Sequence, residues 1–222
     1  MLFRSIGANT ALFSVVDAAL LRKLPVEKPE ELVSVEFIPP RTGWNVDANE
    51  YAYKSFASFS YPNFQALQAH NETLSDLFGI YPQSALVSGQ GIALHEIQRV
   101  SGNYHNALRE RGAIGRMLTE ADDKPGAEPV AVISYRYWQL RFGMDPAAVG
   151  SYLLIDDERM RIVGVTSPGF QGTGGFGHAP DVTTPLVPYA TAHRRPEWRD
   201  DCWIFIMGRL KPGVTYEQVK AN

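Results

Sequence analysis

Short runs of alternating apolar and polar residues, separated by turn residues, organise most of this chain. Residues 32–37 (LVSVEF) alternate as a half-buried strand does, because successive strand side chains face opposite ways. Residues 77–87 and 95–101 predict two further strands, 130–134 a short buried one, and 182–187 and 204–210 two more. Residues 152–155 and 160–165 predict a hairpin around Asp156, Asp157 and Glu158. Helical spacing takes over in residues 61–71, where Pro62 suits a first turn and Phe64, Leu67 and Gln68 follow at helical intervals. Residues 135–142 predict a second helix with Trp138 and Phe142 four apart, and residues 104–108 a shorter one. Near the end, Thr215 with Gln218 three residues on reads as a capping box opening a helix over 215–222. Residues 39–49, 112–115, 119–123, 169–177 and 211–213 read as loops and turns. Strands and helices mix without strict alternation, so the predicted class is α+β.

The N-terminal stretch is different in kind. Residues 6–21 are mostly apolar or small, interrupted by Asn9, Thr10, Ser14 and Asp17. Sixteen residues fall short of the roughly 20 a spanning helix needs. On a helix, Gly7, Thr10, Ser14 and Asp17 share one face, which suits a membrane helix packed against others. The same stripe suits an amphipathic helix on a soluble core. A signal peptide, with Arg4 leading and Ala18–Ala19 as the cleavage site, is a third reading, though Asp17 fits it badly. Pro25 ends whatever helix forms here.

Composition narrows the function classes. The 222 residues are 45% hydrophobic and 11% aromatic, enough to bury a core and too apolar for disorder. A net charge of −3 with no basic run argues against a nucleic-acid footprint. A single cysteine, Cys202, excludes an intramolecular disulfide and a cysteine-rich zinc site, and predicts a buried, inert thiol.

Candidate chemistry is sparse. Gly172, Gly174 and Gly177 match GxGxxG, but a dinucleotide site needs a strand leading straight in and a helix leading out. Here Ser167, Pro168 and Gly169 separate the strand, and Pro180 follows where a helix would start, so a surface loop is the better reading. His95 and Glu96 begin an HExxH-like string that ends in Arg99, so the second zinc-binding imidazole is missing and His95 reads as an exposed strand residue. His178 and Asp181 could meet in a turn, but a helix or strand cap is the better reading. The acidic runs 120–123 and 156–158 read as solvated turns, and the latter lacks the glycine and spacing of a calcium loop. In residues 136–142, Tyr137, Trp138 and Phe142 read as inward and Arg136 and Arg141 as solvated. No catalytic, cofactor-binding or metal site is predicted.

An ordered set of weak motifs is more specific than any one of them. Residues 6–25 (IGANTALFSVVDAALLRKLP), 59–64 (FSYPNF), 100–104 (VSGNY), Gly115-Arg116, 134–138 (SYRYW), 141–143 (RFG), Asp145-Pro146, 162–165 (IVGV), 168–170 (PGF) and 208–214 (GRLKPGV) occur in one order. The set resembles the periplasmic core domain of MacB/FtsX-like ABC-transporter permeases, and is nearest in kind to the duplicated permeases of acidobacteria. The chain departs from that pattern at His105, where the family usually has Phe, and at residues 109–112 (RERG), where charges replace apolar turn residues.

The resemblance implies a fold and a role. Residues 1–24 would be a partial transmembrane or stalk helix, and 25–222 a MacB-like periplasmic core, truncated at its C-terminus. Residues 95–188 would form a strand-rich subdomain inserted into a porter-like one. Such a domain is not an enzyme and needs no cofactor. It faces the periplasm from the bacterial inner membrane and transmits ATP-driven motion for export or efflux. Its implied partners are an ABC ATPase subunit, a second permease copy, and a periplasmic adaptor or outer-membrane component. A soluble periplasmic ligand-binding module, with the N-terminal helix as a cleaved signal and residues 169–177 as a lid, and an extracytoplasmic enzyme using His178 and the carboxylates are the alternatives.

Overall fold

A computed structural model describes residues 12–16, 26–38, 58–88, 91–173, 180–193 and 201–220. Among them the strands are β1 (Leu12–Val16), β2 (Leu32–Ile38), β3 (Ser58–Phe59), β4 (Leu74–Ser88), β5 (Ile92–Val100), β6 (Ile114–Gly115), β7 (Val130–Ile133), β8 (Tyr152–Ile155), β9 (Glu158–Val165), β10 (Val182–Pro185) and β11 (Ile204–Leu210). The α-helices are α1 (Tyr61–His70), α2 (Tyr104–Ala107), α3 (Tyr135–Phe142), α4 (Leu186–His193) and α5 (Tyr216–Lys220). Pairing runs β1-β2-β11-β4-β5-β10-β7-β9-β6, with β3 on β11 and β8 bridging β4 and β9.

That bridge closes a circuit. β4, β5, β10, β7, β9 and β8 pair in turn and return to β4, so six strands curl into a small barrel. Alternate residues point inward, as a barrel requires. Ala85, Val87, Ile97, Leu153, Ile155 and Ile162 meet inside it, and Tyr137 and Trp138 of α3 join the same core. The rest of the sheet is open, with β11 between β2 and β4. Phe64 of α1, Leu186 and Ala190 of α4 and Val33, Val35 and Ile206 share its own core. A third cluster gathers Phe78, Ile80, Val100, Tyr104 and Leu108 with Val130 and Val132. β7 is therefore buried on both faces, which is why its sequence is an unbroken VAVI rather than an alternation.

β4 ties the two parts together. It is 15 residues long: its first half pairs with β11 and its second half with β5 and β8. Local signals end the elements where expected. Ser134 Oγ accepts from Tyr137 N at 3.0 Å and starts α3, and Gly143, at φ 57°, stops it. Thr215 N donates to Gln218 Oε1 at 2.8 Å, and Gln218 N to Thr215 Oγ1 at 3.4 Å, which completes the capping box. Asp156 and Asp157, both at positive φ, turn the β8–β9 hairpin.

Three expectations change. Residues 12–16 do not form the helix expected across 6–21; they pair antiparallel with β2 from Leu12↔Ile38 to Val16↔Ser34. Two adjacent β-branched valines and the open edge of β2 favour a strand there. No helix among the described residues is long and apolar enough to cross a membrane. Residues 186–187, expected to extend a strand, open α4 instead, because the parallel β5–β10 pairing ends at Pro185↔Val100. Ile114 and Gly115, expected as a turn, pair with Val165 and Gly164.

Candidate functional site

A buried, heavily bonded side chain joins the N-terminal connector to the open sheet. Arg209 on β11 is 2% exposed. Its Nε donates to Ala107 O at 3.0 Å, Nη1 to Lys28 O at 2.9 Å and Glu31 Oε2 at 3.0 Å, and Nη2 to Glu27 O at 3.0 Å. A planar fork fixed in this way holds residues 27–31 and the end of α2 against one strand. Lys28 and Arg209 together keep the Glu31 carboxyl below its ordinary value. Arg109, at φ 58°, pairs with Glu27 at 2.7 Å on the same connector. Glu110 Oε1 accepts from Gly112 N, Ser167 N and Ser167 Oγ, each at 2.7 Å. The charged turn at residues 109–112 is thus held by named partners, which apolar residues there could not provide.

A second cluster fastens α3 to the barrel. Asp181 accepts from His95 Nδ1 at 2.8 Å and from Arg136 Nη2 at 3.3 Å. Arg141 Nη2 lies 3.1 Å from His95 Nε2. A guanidinium can only donate, so Nε2 accepts and the His95 proton sits on Nδ1. Tyr137 meets the His95 ring edge-on at 5.0 Å. His95 is therefore not the exposed strand residue its position suggested: its side chain is 13% exposed and paired. Asp181 pairs with His95; His178, its expected neighbour, lies outside the described residues.

The acidic loop before β7 is also more than a solvated turn. Arg116 grips Asp122 bidentately at 2.7 and 2.8 Å, and Thr119 donates to it through N and Oγ1. Burial works against the Asp122 charge, yet Arg116 and Thr119 hold its carboxyl below the usual range. Asp123 accepts from Gly102 N at 3.0 Å and Val187 N at 2.6 Å, joining the entries to α2 and α4. Burial pushes its carboxyl up to about 6 despite those donors.

Arg99 is also 2% exposed, and the ion pairs of the described residues give it no carboxylate. Its Nε reaches Gln83 Oε1 and its Nη1 reaches Thr184 Oγ1, both at 3.3 Å, and its guanidinium lies 3.9 Å from the Tyr189 ring centroid. Tyr81 and Trp203 complete this aromatic wall. Burial lowers its pKa, as expected for a cation taken out of water, and the ring face compensates in part.

Among the described residues the remaining sequence candidates take structural positions. His95 and Arg99 lie on one face of β5 and Glu96 on the other, so the HExxH-like string is a strand. Asp156 Oδ1 accepts from Leu86 N at 3.0 Å and docks the β8–β9 turn on β4. Tyr137 and Trp138 are buried as expected and Arg136 is largely exposed, but Arg141 turns inward to His95. Cys202 is exposed, contrary to the buried thiol expected, because the strand does not begin until Ile204. Gly174 and Gly177 lie outside the described residues. Among the described residues no group of three or more His, Cys, Asp or Glu is placed to hold a metal. No local pattern marks Arg209, Asp123 or Arg99 as structural hubs, since each reaches partners far along the chain.

Comparison with known proteins places this architecture. The chain matches the solved periplasmic region of MacB from Actinobacillus actinomycetemcomitans with a TM-score of 0.61, at 12% identity, over 78% of this chain and 76% of that one. It matches the extracellular domain of the ABC-type transporter YknZ from Gram-positive bacteria with a TM-score of 0.58, at 13% identity, over 86% and 87%. At such identities the likeness shows the fold. No curated protein sequence matches the chain. The family model of the MacB-like periplasmic core domain matches residues 4–222, and with nearly the whole chain inside that match, the protein belongs to the MacB-like periplasmic core domain family.

Proposed function

We propose that this domain passes ATP-driven motion from the membrane helices of an ABC-type permease to the extracytoplasmic side, in the service of export or efflux. The Arg209 clamp carries the reading. Residues 26–31 follow the N-terminal segment, and Arg209 binds the backbone carbonyls of Glu27 and Lys28 directly. A displacement of the connector therefore reaches β11, then its neighbour β4, and through β4 the barrel. Side-chain tethers to loose loops would dissipate such a movement; backbone carbonyls held by a buried fork do not.

On this reading residues 1–24 lead out of the inner membrane, and 25–222 form the periplasmic core with residues 95–188 as its inserted subdomain. In lipid every backbone polar group must be satisfied within the segment, so residues 12–16 exchange their pairing with β2 for helix there. A second permease copy, an ABC ATPase, and an adaptor or outer-membrane component complete the machine. The chain contributes position and stiffness rather than chemistry.

The test is Arg209→Ala in the complete permease with its ATPase. Hydrolysis of ATP continues while transport falls about tenfold, a loss in the ordinary range of coupling energies. Arg209→Lys keeps the cation but cannot span Ala107, Lys28 and Glu27 together, and gives an intermediate loss at normal membrane abundance. Transport at the unaltered rate in both variants would sink the reading.

A further inference from the structure

Among the described residues seven large apolar side chains stand exposed, and five share one outer face of the barrel: Leu86, Ile92, Leu94, Tyr152 and Leu154. The ladder fixes this. Leu94 pairs across from Leu86, and Ile92 and Leu154 both pair across from Ser88, so all point the same way, with Tyr152 two residues along β8. Ile92 is 75% and Leu94 66% exposed. The alternate residues Ala85, Val87, Leu153 and Ile155 are core, so the face is rigidly backed. Contiguous exposed apolar surface of this kind marks an interaction site.

The charges around it are arranged in opposition. Glu96, two residues beyond Leu94, accepts from Ser84 Oγ at 2.8 Å and has no cation partner among the described residues. At the other end Arg159 lies over the Tyr152 ring, 3.7 Å from its centroid, with no carboxylate partner among the described residues. One end of the face is negative, the other positive, and Leu86 lies between. A partner of single charge sign would suit one end and oppose the other.

We propose that this face is the contact between two copies of the chain, related by a two-fold axis lying in the face close to Leu86. That axis sets Glu96 of each copy against Arg159 of the other and leaves the apolar residues covered, as an isologous interface requires. It rests on the pairing of two permeases proposed above and locates it. Three strands spaced about 4.8 Å apart make a narrow face, smaller than the roughly 800 Å² per partner of a stable complex. The chain alone therefore pairs weakly, and anchoring two copies side by side raises their effective concentration.

The test uses the 222-residue chain with Cys202→Ser as background. Leu86→Cys, close to the axis, forms a covalent dimer with a short bismaleimide, and Leu140→Cys, exposed on α3, does not. In sedimentation, Glu96→Arg or Arg159→Glu alone weakens self-association about fivefold, the upper range for an exposed ion pair, and the two together restore it. These positions are on the surface, and circular dichroism checks that each variant is folded. A chain that stays monomeric at about 1 mM, equal cross-linking at Leu86→Cys and Leu140→Cys, or no recovery in the double charge reversal would each overturn the proposal and give the face to another partner. Those results leave membrane anchoring and Arg209 coupling untouched, since each has its own readout.

Discussion

His105 is fully buried beside Tyr104 and Phe170, and neither ring nitrogen has a hydrogen-bond partner. Burial lowers its pKa to about 3. Its folded value lies below the unfolded one, so the stability linked to it is present above about pH 6.5 and is lost as pH falls toward 3. His105→Phe fills the same slot without orphaned nitrogens; urea unfolding at pH 7 should show a gain of about 1–3 kcal/mol. Destabilisation would mean that a bound water or another group satisfies the ring. Asp123 has the opposite sign. Its folded value, about 6, lies above the unfolded 3.8, so its contribution is fully present below pH 3.8 and lost as pH rises through about 6. The difference corresponds to about 3 kcal/mol. Asp123→Asn removes that slope but keeps an acceptor for only one of the two donors, because Gly102 N and Val187 N bond different carboxylate oxygens. An unchanged stability profile between pH 4 and 6 would contradict the assignment.

Gly164 and Gly102 sit where strand and loop backbones approach closely. A Cβ at Gly164 on β9 would lie 2.1 Å from Arg116 O, and one at Gly102 would lie 2.5 Å from Thr119 O. Both obstacles are backbone and cannot swing aside. Gly164→Ala should therefore cost roughly 3 kcal/mol or more in chemical denaturation, at the high end for overpacking; a loss under about 1 kcal/mol would mean β6 is not held against β9 as described. At this scale much was legible in the sequence. The alternation of residues 32–37 became β2, the run at 204–210 became β11, and the cap at Thr215 works as its residue type predicts. Elements whose state depends on distant neighbours were not legible. Residues 12–16 follow the open edge of β2, and the strand at 182–185 stops where its parallel partner does. His95 looked exposed because its partners, Asp181, Arg136 and Arg141, are brought to it by β10 and α3.

At the level of the whole molecule, closure of the barrel is non-local: β8 reaches back to β4 and β5 pairs parallel with β10, more than 80 residues along the chain. No periodicity within a strand encodes that circuit, whereas the ordered motifs identified the family that has the fold. The long β4, the Arg209 clamp and the bipolar face on β4, β5 and β8 suit a part that is moved and that meets a second copy. The central claim is that this chain works as part of a membrane permease. An antibody raised against residues 32–222, used on fractionated cells, tests it most directly. A carbonate-resistant inner-membrane band well above 24.7 kDa is the predicted result. A band near that mass in the soluble periplasm would contradict it.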